Sequence, residues 1–228
     1  MLDPPLQGDY PVYVGRIVAI GMTQAGRLAA LYRVSSRSFP NREARCLAQA
    51  IAIVPKPGCE NDIYKNPYIA YNCLRLTGPY AVASNGSHTD PVAEKLQAGM
   101  GMRDALVTVL AAMDYEHDSL NTPRIAAVVQ QGSAKGYLGI VRHDALLVQE
   151  FALTPGQAFY VATYERHVPC PHYADLRFDA ADARAACQYI LTGGVFADLE
   201  RPITAACAVE TATGFAVATL DMPSPTPA

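Results

Sequence analysis

The strongest constraint on the fold is a series of short β-rich runs at hairpin spacing. The first two, residues 13–22 and 28–36, are separated by TQAG, whose glycine predicts a turn. Later runs include AQAIAIVP, IAYNCLRL, YAVASN, IAAVV, GYLGIV, ALLVQEFAL, FYVATYE, TAACAVE and FAVATLDM. IAAVV is apolar at every position, so a sheet containing it must be covered on both faces. We therefore predict an α+β fold of antiparallel sheets, two of them stacked with helices outside.

Helical signals are fewer and are confined to the centre and the later part of the chain. Asp90 is a candidate N-cap, followed by Pro91 at the first helical position. Residues 102–113 carry apolar side chains at the spacing of one buried helix face. A further helix is predicted over roughly 179–191, ending before Gly193, since glycine can adopt the left-handed conformation of a C-cap.

Composition excludes several classes of partner and location. The net charge is −3 and no basic stripe is present, which argues against nucleic acid. The first residues lack the features of a signal peptide, and no apolar stretch approaches the roughly 20 residues that span a bilayer. Six cysteines without CxxC pairs are typical of reduced thiols in a cytoplasmic protein. We expect one domain over residues 13–222, after an N-terminal extension (1–12) and before a flexible tail (223–228).

The stretch RVSSRSFPNR concentrates positive charge in an acidic chain. If the strand continues through it, Arg33, Ser35 and Arg37 share one face, and the turn at Pro40 brings Arg42 nearby. Guanidinium groups with hydroxyls between them can hold a phosphate or carboxylate through paired hydrogen bonds. The alternative is a solvated strand end whose arginines pair with surface acids.

The segment MDYEHD places acids where a helix end is negative. Asp114, Glu116 and Asp118 follow the central helix directly, although cations are favoured at that position. Crowded like charges should raise the pKa of at least one carboxyl group, as a general acid or base near neutrality requires. The alternative is that the helix has already ended and the acids lie in a solvated loop, capped by Arg124 or Arg103.

Other candidate residues have ordinary interpretations. Tyr71 would usually be a packing residue, and His88 would usually be an exposed turn histidine. His167, Cys170 and His172 supply half of a zinc site, but no further ligand stands at a matching distance. No GxGxxG, P-loop or GxSxG motif is present, so dinucleotide and P-loop chemistry are not expected.

Five blocks of the sequence together resemble one known family. They are YVGRIVAIG, YRVSSRSFPNR, NPYIAYNCLR, SNGSHTD and MDYEHDSLNTPRIA. In order and spacing they are similar to the archaeal-type IMP cyclohydrolases, and the similarity extends over residues 13–222. The resemblance implies a four-layer αββα sandwich of the N-terminal nucleophile hydrolase type, without its nucleophile. It also implies ring closure of 5-formamidoimidazole-4-carboxamide ribonucleotide to IMP, a homo-oligomer such as a tetramer, and no metal or organic cofactor.

The resemblance also implies roles for particular residues. The catalytic tyrosine and glutamate of the family fall on Tyr71 and Glu116, and Arg42 is the arginine expected to contact the ligand. The full set expected to bind the purine nucleotide is Arg33, Arg37, Arg42, Asn72 and His88. Two alternatives remain at this stage: a noncatalytic purine-nucleotide-binding protein, and a metal-assisted amidohydrolase that uses the His167 region.

Overall fold

A computed structural model describes residues 12–223. The predictions of an N-terminal extension and of a flexible C-terminal tail concern residues that lie outside this range, apart from Val12 and Pro223 at its ends. The strands are β1 (Arg16–Met22), β2 (Leu28–Ser35), β3 (Arg42–Cys46), β4 (Ala50–Pro55), β5 (Tyr71–Thr77), β6 (Tyr80–Ser84), β7 (Arg124–Gln130), β8 (Lys135–Arg142), β9 (Ala145–Ala152), β10 (Gln157–Ala162), β11 (Ala174–Asp175), β12 (Pro202–Thr211) and β13 (Gly214–Asp221). The α-helices are α1 (Asp62–Lys65), α2 (Thr89–Gln97), α3 (Met102–Met113) and α4 (Ala183–Thr192). Short 3-10 helices cover Pro67–Ile69 and Gly194–Phe196.

The strands form two antiparallel sheets, as predicted. The first sheet has six strands in the order β11-β10-β1-β2-β12-β13, and the second has seven in the order β3-β4-β5-β6-β7-β8-β9. The strands from β3 to β9 lie in chain order. Short turns join β3 to β4, β5 to β6, β7 to β8 and β8 to β9, whereas α2 and α3 lie between β6 and β7. Gly78 in the β5–β6 turn and Gly26 in the β1–β2 turn of the first sheet take positive φ values, which a residue without a side chain adopts without strain.

Three apolar clusters hold the layers together. One lies between the two sheets and includes Ile20, Tyr32 and Leu138. A second joins the outer face of the first sheet to α4, and a third joins the outer face of the second sheet to α2 and α3. Both faces of each sheet are therefore buried, as the apolar run now seen in β7 predicted. Each fully buried large aliphatic side chain contributes about 1.5–3 kcal/mol.

The helix boundaries correct two details of the sequence prediction. Helix α2 begins at Thr89, so Asp90 lies in its first turn and is not the N-cap. Helix α4 begins at Ala183, because the side chain of Asp182 accepts a hydrogen bond from the backbone N–H of Ala185. Within residues 12–223, no helix is long and apolar enough to cross a membrane.

Strand β3 was not predicted. Its sequence, REARC, alternates charged and small residues, and the strand lies at the edge of the second sheet, paired only with β4. Charged side chains are common on edge strands because they discourage pairing with other chains. The placement matters because the first residue of β3 is Arg42.

Candidate active site

The Arg/Ser-rich segment opens into a cleft with a volume of about 260 Å³. The segment after β2, the 3-10 helix before β5 and the loop after α3 all contribute to its wall. The arginines and serines of the wall, with its most buried acid, are Arg16, Ser36, Arg37, Ser38, Arg42 and Glu116. The cleft therefore joins the two segments that the sequence analysis singled out separately.

Glu116 lies at the cleft but is almost fully buried, with 2% of its surface exposed. Its Oε2 is 3.4 Å from Nη2 of Arg16, and its Oε1 is 3.8 Å from Nη1 of Arg124. Within the described chain, its Oε1 has no hydrogen-bond partner. Burial raises the pKa of Glu116 to about 7, against the opposing effect of Arg16 and Arg124. A carboxyl group with a pKa near neutrality can both accept and donate a proton at physiological pH.

The loop after α3 carries Glu116 inward by its own hydrogen bonds. The helix ends at Met113, so the acids follow it in a loop. The backbone N–H of Glu116 donates to Thr122 O at 2.8 Å, and the side chain of Asp118 accepts from Thr122 N at 2.9 Å. The alternative of a wholly solvated loop is wrong for Glu116. The predicted rise in a carboxyl pKa is found, but burial is its main cause, and Asp118 contributes little.

The loop between β6 and α2 closes tightly over the same carboxyl group. A Cβ atom added to Gly86 would lie 2.8 Å from Arg124 Nη1, 3.2 Å from His88 Nδ1 and 3.4 Å from Glu116 Oε1. Glycine at this position lets the backbone approach both charged groups closely.

Tyr71 lies at the start of β5, in the apolar layer between the sheets. It is 8% exposed, and its hydroxyl oxygen is 2.5 Å from that of Tyr32. Burial raises the pKa of Tyr71, and the charges of Arg42 and Arg16 act in the opposite direction. The same two arginines act on the pKa of Glu116, so Tyr71 and Glu116 share one electrostatic environment.

Arg42 and Arg37 line the cleft in different ways. Arg42 is 3% exposed, and within the described chain its side chain makes one hydrogen bond, from Nε to Phe39 O at 3.1 Å. Arg37 is largely exposed, pairs with Glu200 at 2.6 Å and lies over the ring of Tyr13. Of the two arginines that line the cleft from this segment, Arg42 is therefore the more buried.

The structure does not bring Arg33 to the cleft. Strand β2 ends at Ser35, and the Arg33 side chain points to the opposite side, under α4. Its guanidinium group donates to the carbonyl oxygens of Ile190, Leu191, Phe196, Leu199 and Glu200, and its Nε donates to Ser35 Oγ. All three side-chain nitrogens of Arg33 thus donate inside the protein, away from the residues that line the cleft. Its place on one face with Ser35 was correctly predicted.

Asn72 and His88 also lie away from the cleft wall. The side-chain amide of Asn72 donates to Asp90 at 3.0 and 3.1 Å, on the side of β5 that faces α2. His88 is fully buried, with Nε2 2.9 Å from Ile125 O. Burial lowers the pKa of His88 to about 3, so its imidazole is neutral near pH 7.

Arg16 is a site residue that the sequence analysis did not identify, and Arg124 appeared there only as a candidate cap of acids in a solvated loop. Each is the first residue of a strand, β1 and β7, and each pairs with Glu116. Their only signal in the sequence is an arginine immediately before an apolar run, in GRIVAI and PRIAAV.

The His167 region does not form a metal centre with its neighbours. Nδ1 of His167 is 2.5 Å from Tyr164 O. Among residues 12–223, no three His, Cys, Asp or Glu side chains are grouped in a way that could hold a metal ion.

The fold and the site define an α+β sandwich protein with a cationic cleft around a buried carboxyl group. The model of the family described as IMP cyclohydrolase-like protein matches residues 13–214. The chain belongs to this family. Relatives named IMP cyclohydrolase include one from Methanocella arvoryzae, 48% identical over 202 residues, with 87% of this chain and 93% of the relative covered. One from Methanosphaera stadtmanae is 44% identical over 197 residues, covering 86% and 94%. One from Methanocaldococcus jannaschii is 41% identical over 210 residues, covering 91% and 98%.

Proposed function

We propose that this protein is an IMP cyclohydrolase, which closes 5-formamidoimidazole-4-carboxamide ribonucleotide to IMP and water in the last step of de novo purine biosynthesis. The name shared by its relatives supports the proposal. The observation that carries it is the buried Glu116, with a pKa of about 7, at an arginine-lined cleft. Ring closure needs such a group because a proton leaves nitrogen and another reaches oxygen.

Both reacting groups belong to one substrate molecule. The carboxamide nitrogen attacks the formyl carbon, a C–N bond forms, and the formyl oxygen finally leaves as water. Holding the two groups in a near-attack geometry can supply much of the rate enhancement. We assign this positioning to the walls of the cleft, with no metal or organic cofactor in the reaction.

Glu116 and Tyr71 share the proton transfers. Glu116 in its ionised form takes the proton from the carboxamide nitrogen, and in its protonated form can return it to the departing oxygen. Tyr71 donates a hydrogen bond, and then a proton, to the formyl oxygen as negative charge develops there. As the C–O bond breaks and the C=N bond forms, the proton released from the formamido nitrogen restores the Tyr71 hydroxyl group. The positive charges of Arg16 and Arg42 lower the cost of negative charge at both groups.

Arg42 and Arg37 hold the substrate phosphate with the hydroxyl groups of Ser36 and Ser38. Guanidinium groups match phosphate oxygens in pairs, and the less exposed Arg42 supplies the stronger contact because it is less screened by water. Asn72 and His88 position other residues and do not contact the substrate. Asn72 holds Asp90 of α2 by a hydrogen bond, and His88 packs against Gly86 in the loop beside Glu116.

The finer assignments belong to the same proposal. The two sheets with outer helices correspond to the four-layer αββα arrangement of N-terminal nucleophile hydrolases, without a nucleophile at the head of the first strand. Residues 13–222 act as one domain. The protein works in the cytoplasm as a homo-oligomer, such as a tetramer.

Ring closure with the purified protein tests the proposal. The formylated ribonucleotide is incubated with the protein and a chelator, without added metal, and IMP is measured against the uncatalysed rate and against the Glu116→Gln variant. Saturable IMP formation by the wild type alone is the expected result. IMP binding without acceleration would indicate a noncatalytic nucleotide-binding protein, and activity lost with chelator and restored by metal would indicate a metal-assisted enzyme.

A further inference from the structure

Tyr32 and Tyr71 form a buried pair across the two sheets. Tyr32 comes from β2 of the first sheet and Tyr71 from β5 of the second. Their rings lie edge to face with centroids 6.4 Å apart, and their hydroxyl oxygens are 2.5 Å apart. Tyr32 has no exposed surface, whereas Tyr71 retains 8%. Tyr71 is therefore the less enclosed residue of the pair.

The direction of this hydrogen bond follows from what each hydroxyl can reach. Within residues 12–223, neither hydroxyl has another hydrogen-bond partner. If Tyr71 donated to Tyr32, the proton of Tyr32 would be buried without an acceptor, at a cost of about 1–3 kcal/mol. If Tyr32 donates to Tyr71, the free proton is that of Tyr71, the residue of the pair that retains exposed surface, and a bound molecule can accept it.

We propose that Tyr32 is a positioning residue for ring closure: it donates its hydroxyl proton to Tyr71 and thereby directs the proton of Tyr71 toward the formyl oxygen. This proposal rests on the proposed function and adds to it a residue that does not touch the substrate. Tyr32 fills one lone pair of the Tyr71 oxygen, so that this oxygen cannot rotate its own proton into the core.

The charged and titratable neighbours agree with this direction. Tyr71 faces Tyr32 from β2, Arg16 from β1, Arg42 from β3 and Cys73 on its own strand. Burial raises the pKa of both phenols, further for Tyr32, while the two arginines and the hydrogen bond from Tyr32 act to lower that of Tyr71. The two arginines therefore stabilise the ionised form of Tyr71, the hydroxyl that keeps a free proton when Tyr32 is the donor.

The Tyr32→Phe variant tests the proposal, because it removes the donor and keeps the ring. We expect kcat to fall about tenfold, as for the loss of one buried hydrogen bond, with KM unchanged. The matched control is Tyr189→Phe. Tyr189 belongs to α4, away from the cleft, and the variant removes the hydroxyl that donates to Asp175 at 3.1 Å. Thermal unfolding of both variants shows whether each folds.

A titration separates positioning from a merely structural role. With tyrosine labelled at the ring carbon that bears oxygen, the Tyr71 resonance is identified by its loss in Tyr71→Phe and is followed against pH. We expect its midpoint, and the alkaline limb of the kcat profile, to move upward in Tyr32→Phe, since an accepted hydrogen bond lowers the pKa of the acceptor. A downward shift would mean that Tyr71 is the donor and would overturn the proposal.

The outcomes distinguish this proposal from the proposed function. If the wild type makes no IMP, the cyclohydrolase activity fails, and the titration alone still decides the direction of the hydrogen bond. If the wild type is active and Tyr32→Phe keeps both its kcat and its Tyr71 titration, the positioning role is wrong. If Tyr32→Phe does not fold, 3-fluorotyrosine at position 32 serves as the second variant, because its hydroxyl is a stronger hydrogen-bond donor. The pH midpoint of the Tyr71 titration should then move downward, and an unchanged midpoint would overturn the proposal.

Discussion

Two buried charged regions of this protein are built in opposite ways. Under α4, the guanidinium group of Arg33 is surrounded by carbonyl oxygens and uses all three nitrogens as donors. At the cleft, the ion pairs of Glu116 among the described residues are long, at 3.4 and 3.8 Å, and two nitrogens of Arg124 have no hydrogen-bond partner there. A buried charge whose hydrogen bonds are all made within the protein stabilises one structure. A buried charge that lacks some of its hydrogen bonds can still form them with a ligand.

Glu116→Gln should have the largest effect and should act on activity alone. We expect kcat to fall about 100- to 10,000-fold, since the neutral amide cannot accept the proton. The free energy of unfolding should change little, because the counter-charge lost by Arg16 and Arg124 is offset by the replacement of a buried ionisable group with a neutral amide. Steady-state kinetics and urea unfolding measure the two effects, with the exposed Glu150→Gln as control. A variant that keeps wild-type kcat would remove Glu116 from the mechanism.

Arg33→Met should act mainly on stability. The change leaves several buried carbonyl oxygens at the end of α4 without a donor, and we expect a loss of about 3–5 kcal/mol in the free energy of unfolding. Urea unfolding with Arg27→Met as the comparison measures it, since Arg27 makes two such carbonyl contacts. A stable Arg33→Met variant with a raised KM would return Arg33 to the binding site.

The pH dependence of stability should separate the two regions. The pKa of Glu116 is raised from 4.5 to about 7 on folding, so the folded state holds more protons between these values. Stability should therefore be greatest at the acid end of this window and fall by about 1–3 kcal/mol as pH rises through it. This contribution should vanish in Glu116→Gln, and an unchanged slope in that variant would assign it to other groups.

Arg42→Ala should have the smallest of these effects and should change binding. We expect KM to rise about 10- to 100-fold with a modest change in kcat, because the lost contact is to a part of the substrate that does not react. Arg45→Ala is the matched control on the same strand, since Arg45 is exposed and pairs with Glu43. Normal substrate binding with lost turnover would contradict the anchoring role of Arg42.

Much of the framework could be predicted from local pattern. Period-two and continuous apolar runs identified most strands, and the apolar spacing of 102–113 matched α3 to the residue. The unusual position of Glu116 was visible because acids crowd the end of that helix. Strand β3 was missed because an edge strand carries few buried residues, and its alternation of charged and small side chains resembles a loop.

The partners of the site residues could not be predicted in the same way. Arg16 and Glu116 are 100 positions apart, and nothing local to either segment indicates the contact. The same holds for Tyr32 and Tyr71, which come from different sheets. Contacts of this kind depend on how two layers pack, and no short window of sequence contains that information.

Adjacent residues of β2 show which features follow from the sequence alone and which depend on the tertiary structure. The sequence by itself determined that Tyr32 and Arg33 point to opposite faces, because side chains alternate along any strand. Only the tertiary structure decided that one face meets Tyr71 in the layer between the sheets while the other meets the carbonyl end of α4. The physical reason is that alternation is a property of the backbone, whereas the identity of each face is set by the layer packed against it.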